Sequence, residues 1–139
     1  MRKTVFSRVL TAVFVTIFAA FALMQSAGAQ PVSDEPIAFY EAYIGVDDLY
    51  NSKGVRLTSA AQILRQDRAN VHRFGIWQPG DQIDPIFGTY EAREVMTRVL
   101  ERNGLDPQVA RDIRRGDVMV YVEIWGHGNT ITAILVDTF

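Results

Sequence analysis

From Val118 to Trp125 the chain alternates strictly, with Val118, Val120, Val122 and Ile124 interleaved by Met119, Tyr121, Glu123 and Trp125. A period of two over that length is the pattern of a strand with two distinct faces, and it admits no helical reading. Gly126, His127, Gly128 and Asn129 follow as a turn signal, and Thr130–Thr138 reads as a returning strand. A two-residue loop at His127 and Gly128 pairs Val120 with Leu135, Val122 with Ala133 and Ile124 with Ile131. This register predicts one aliphatic face broken only near Asp137, the floor on which helices would rest. The opposite face then gathers Met119, Tyr121, Trp125, Ile134 and Val136 around Glu123, and Tyr121 with Trp125 become its candidate binding residues.

The rest of the chain supplies what would cover that floor. Ile37–Tyr50 is rich in aromatic and β-branched residues and reads as a strand. Asn51–Gly54 is a turn, with Val55–Leu57 as a short returning partner. Ser59 and Gln62 form a potential capping box ahead of a helix reaching about His72. Ala60, Ile63, Leu64, Val71 and Phe74 make its apolar stripe, and Asp67 stands in the middle of it. Gly75–Gly88 is a loop punctuated by Pro79, Gly80 and Pro85. A second helix starts near Thr89 and ends at Asn103 and Gly104, with a Glu94–Arg98 pair on its surface. A third helix is capped by Asp106 and Pro107 and stops before Gly116. Strands, three helices and strands in that order predict an α+β domain: a small antiparallel sheet of N-terminal and C-terminal hairpins packed by about three helices.

The amino terminus carries a different message. Arg2, Lys3 and Arg8 precede an apolar run, Val9–Met24, whose only polar side chains are Thr11 and Thr16. Ala27-Gly28-Ala29 then matches the small-residue site of a signal peptidase. The run falls short of the roughly 20 apolar residues of a spanning helix. Residues 1–29 are therefore predicted to be a cleavable secretory signal and 30–139 a single small soluble domain, periplasmic or secreted, with 30–36 a mobile leader.

Cleavage would leave 110 residues, enough for one core. The sequence has no cysteine, so this exported domain must hold together by apolar packing, without disulfides, thiolate metal sites or a cysteine nucleophile. Three of the 14 basic residues lie in the predicted signal segment 1–29 and all 16 acidic residues beyond it, leaving a formal charge of −5. That charge argues against nucleic acid or an anionic membrane surface as partner. A protein partner in the cell envelope is the expectation, and no motif calls for a cofactor.

Few residues are placed for chemistry. Asp67, on a core-facing stripe, must be paired, hydrogen-bonded or protonated, and a structural role is the expectation for it. His72 and His127 are the only imidazoles, so a catalytic set would have to draw on Asp67, His72 and His127. No zinc-ligand spacing is present, and no metal site is predicted. Asp47 with Asp48 and Asp81 with Asp84 lie outside any calcium-loop pattern, and the latter two read as solvated loop charges. Ser33, Ser52 and Ser59 lack a nucleophile-elbow context. The reading that follows is a non-enzymatic binding or interaction module. A small hydrolase or metal-dependent enzyme built on Asp67 and His72 is the alternative.

Overall fold

The computed structural model describes residues 33–139, and the segment read as a signal peptide lies outside them. Within this range the chain is an α+β fold. Three antiparallel strands, β1 (Glu35–Ile44), β2 (Val118–His127) and β3 (Thr130–Thr138), form one sheet in the order β1-β2-β3. Three helices, α1 (Ala60–Ala69), α2 (Tyr90–Asn103) and α3 (Pro107–Arg115), lie between β1 and β2 in sequence. Alternation decides the inner face of the sheet: Tyr40, Ala42 and Ile44 of β1, Val120, Val122 and Ile124 of β2, and Ile134 and Val136 of β3 are all buried. They join Ile63, Leu64, Met96, Val99, Leu100 and Ile113 of the helices in one cluster. Each buried Val, Leu, Ile or Met side chain in it contributes about 1.5–3 kcal/mol relative to exposure.

The hairpin forms with a different register from the one its pattern suggests. The turn is Gly128–Asn129, one position later than expected, a shift that by itself would keep Leu135 on the inner face. Opposite Trp125 and Gly126, which pair with Ala133 and Ile131, β3 then carries one extra residue, Thr132, and Val120 pairs with Thr138, Val122 with Val136 and Ile124 with Ile134. A single extra residue reverses the parity of the partner strand. Ile134 and Val136 therefore belong to the core, while Leu135 and Asp137 face outward. Gly126 is what permits the irregularity: a Cβ there would stand 2.0 Å from the Thr130 carbonyl oxygen.

Local departures have local causes. β1 begins at Glu35, inside the segment expected to be a mobile leader, because Glu35 and Pro36 pair with Gly126 and Trp125. It stops at Ile44, where Val46–Leu49 coils into a 3-10 turn, and the returning segment contributes only an isolated Tyr50–Arg56 bridge. Ser59 stands at the N-cap of α1 without a side-chain capping bond. Thr89 and Asp106 do cap α2 and α3, accepting from Ala92 N at 3.1 Å and Gln108 N at 2.7 Å. After α1 the backbone widens into a π-helical turn, Asn70–Phe74. The change of pitch carries Phe74 off the core stripe, and it is 45% exposed. Glu94 pairs with Arg65 of α1 at 2.5 Å, rather than with Arg98 as its spacing suggests.

Candidate functional site

Two polar regions stand out, one inside the domain and one on the open face of the sheet. The interior region starts from the carboxylate that the α1 stripe places among apolar side chains. Asp67 is buried, and Arg68 beside it is equally enclosed, donating through Nε to Asp67 Oδ2 at 2.7 Å. Arg68 Nη1 reaches the Gln82 carbonyl at 2.8 Å and Asp84 Oδ2 at 3.3 Å, and its guanidinium lies 4.1 Å from the centroid of the Tyr40 ring. Asp84 Oδ1 accepts from the backbone of Ile86 at 2.9 Å and Phe87 at 2.6 Å, while Oδ2 is 2.7 Å from His72 Nε2. The 75–88 loop is thus tied to α1 by buried charge.

Electrostatics separates the two carboxylates. Burial raises the Asp67 pKa to about 7 against the attraction of Arg68, and Oδ1 has no hydrogen-bond partner among the described residues. Burial also opposes ionisation of Asp84, but its bonds to His72, Phe87 and Ile86 together hold its pKa below the ordinary carboxylate value. Asp84 is the anion that neutralises Arg68 whatever the state of Asp67.

A second buried network adjoins it. Asp48 accepts from Gly45 N at 2.9 Å, Asn70 Nδ2 at 2.8 Å and Gln78 Nε2 at 2.5 Å. Asp81 accepts from Tyr43 N at 3.0 Å and Gln78 N at 2.7 Å. The expectation of solvated charges at Asp81 and Asp84 is therefore corrected: Asp84 is buried, Asp81 is half-buried, and both accept from backbone N–H groups, Asp84 from the loop itself and Asp81 from the loop and from Tyr43 of β1.

The catalytic candidates do not converge. His72 bonds to Asp84, whereas exposed His127 bonds through Nδ1 to Asp34 at 2.7 Å, and the two imidazoles share no partner. Asp67 meets His72 only through Arg68 and Asp84. No hydroxyl among the described residues hydrogen-bonds to His72. Nor do three or more His, Asp or Glu side chains of the described residues stand where they could hold a metal ion.

The second region is the outer face of the sheet, where the binding candidates lie. Tyr121 OH and Trp125 Nε1 both donate to the Glu123 carboxylate, at 3.4 Å and 3.2 Å. Partial burial and the Glu123 charge push the Tyr121 phenol up from its ordinary value. Phe39 of β1 lies diagonally against Tyr121, ring centroids 6.2 Å apart, and is 67% exposed. Leu135 of β3, across from Glu123, is 52% exposed. Glu41 and Asp137 flank Tyr121 on either side. No outward position within Phe39–Tyr43, Met119–Trp125 or Ala133–Asp137 is Lys or Arg.

The helices sit on the other side, and the loop around Gly80 comes over this face at its Met119 end. A Cβ on Gly80 would lie 2.8 Å from the Met119 sulfur, and its φ of 105° favours glycine as well. Sequence reasoning missed Phe39 and Leu135 because their outward positions follow from the strand pairing and not from composition. No protein family, curated protein or solved structure matches the chain. Among the described residues no helix is long and apolar enough to cross a membrane.

Proposed function

We propose that this chain is an exported, non-enzymatic binding module of the cell envelope whose outer sheet face receives a basic segment of a protein partner. The observation that carries the reading is the composition of that face: Phe39, Tyr121, Trp125 and Leu135 set among Glu41, Glu123 and Asp137, with no cation in the strands' outward positions. Aromatic rings attract cations through their faces, and carboxylates supply the complementary field and the hydrogen-bond acceptors. Glu123, oriented by Tyr121 and Trp125, places a fixed anion at the centre of an apolar patch. Arg and Lys side chains suit such a surface because their stems pack on apolar groups while their heads reach the carboxylates.

Export rests on residues 1–29, and the buried polar network around Asp67 and His72 serves in this reading to fasten the 75–88 loop rather than to turn over a substrate. Binding of a labelled peptide alternating Arg and Leu tests the face. The wild-type protein is expected to bind it saturably and more weakly at high salt, with Phe39→Ser and Glu123→Gln each losing roughly tenfold or more, about 1.4 kcal/mol. Equal binding of an acidic peptide of the same length, or unchanged affinity in both variants, would overturn the proposal.

A further inference from the structure

On the helical side of the domain, away from the sheet face, α1, the π-helical turn and the start of α2 enclose a cleft of about 330 Å³. Arg65, Arg73 and Arg93, one from each segment, line it together with Tyr90, Phe74 and Gln62, and no carboxylate does. We propose that this cleft is a binding site for a small organic anion, a carboxylate or phosphate group carried on a flat or apolar body.

The arrangement is not what folding alone would favour. Arg93 is 4% exposed, and its Nη1 donates to the carbonyls of Phe87 at 2.8 Å and Gly88 at 3.1 Å, which fixes the plane of the guanidinium. Its Nε and Nη2 have no hydrogen-bond partner among the described residues. Burial, with Arg65 and Arg73 nearby, disfavours its charge more than the carboxylates of Asp84 and Glu91 favour it. An enclosed guanidinium facing two other cations is stabilised most directly by an anion between them.

Arg65 is held on the rim by Glu94 at 2.5 Å and lies 5.0 Å from the Tyr90 ring centroid, while its Nε is buried without a partner. Arg73 lies 5.1 Å from the Phe74 ring centroid, with no carboxylate within ion-pair distance among the described residues. Tyr90 and Phe74, 55% and 45% exposed, offer ring surface for the apolar body of the ligand. A cavity of this size is at the small end of small-molecule sites, about 300–1,000 Å³. The sequence hides the site because its three arginines are spread over 29 positions and each alone reads as a solvated surface cation.

The test is isothermal titration of protein purified after expression of the full-length chain, using phthalate and phenyl phosphate as the carboxylate and phosphate probes and benzylamine as a cationic control. One saturable site is expected for at least one anion, and the tighter anion assigns the class. Arg73→Gln, at an exposed position, and Arg65→Gln are each expected to weaken binding by roughly tenfold while leaving the thermal transition in place. Arg93→Lys is expected to weaken it further, because a single ammonium cannot both hold the two carbonyls and face the ligand. Absence of saturable binding by both anions, or binding retained in the Arg65→Gln/Arg73→Gln double variant, would overturn the proposal. Neither result bears on the sheet face, which the basic peptide probes separately.

Discussion

Arg68 shows how far a single residue can depart from its reading in isolation. An arginine next to Asp67 in a polar stretch suggests a solvated helix face, yet its side chain is enclosed and spends its donors on Asp67, Gln82 and Asp84. The burial of Asp67 was legible, since its place in the apolar stripe forces it, whereas its partner is the adjacent Arg68 and not a residue distant in sequence. Nothing in the local pattern of 75–88 reveals Asp84 as that arginine's second anion, because the loop's path is set by contacts distant in sequence. The Asp67 pKa of about 7 has a consequence for stability, as its unfolded value is 3.8. Between those values the folded state binds more protons than the unfolded one, so the contribution of this group falls as pH rises through that window. Asp84 acts in the opposite sense, its lowered pKa giving stability that is present above 3.8 and lost as pH falls through its folded value. Urea unfolding of Asp67→Asn is therefore expected to lose less stability than wild type between pH 5 and 8, a pH range within ordinary protein buffers. Parallel pH profiles for the two proteins would contradict the assignment.

Among the elements, helix boundaries were the most readable. Thr89, Asp106, Gly104 and Gly116 stand where capping chemistry places them. Register was less so. The pattern of β2 fixed which of its residues face inward, but the partner strand's parity depended on one extra residue in β3, Thr132 opposite the Trp125–Gly126 step, and no periodicity announces such an irregularity. Gly126→Ala is expected to destabilise the domain by about 1–3 kcal/mol, because a Cβ must displace the Thr130 carbonyl or force the strand out of its register. A shift in urea midpoint, with slope unchanged, measures it. A neutral effect would mean that the irregularity is dispensable. Both sheet edges are also partly covered, β1 by Asp81 and Gln82 and β3 by Arg102 and Asn103, which bond to the Thr132 carbonyl at 2.9 Å and 3.2 Å. Covered edges discourage strand addition.

At the scale of the molecule, the α+β class followed from element order. Tyr121 and Trp125 were legible as a candidate site from alternation alone, whereas Phe39 and Leu135 join it only through pairing. The export reading predicts that protein recovered from the producing cells' envelope begins at Gln30, which N-terminal mass spectrometry checks, an intact Met1 being the contrary result. The outer face is tested most directly by titrating isotope-labelled protein with the basic peptide and following amide and indole resonances. Perturbations should centre on Phe39, Tyr121, Glu123, the Trp125 indole and Leu135. Perturbations confined to the helical side, or none at saturating peptide, would contradict a binding role for the open sheet.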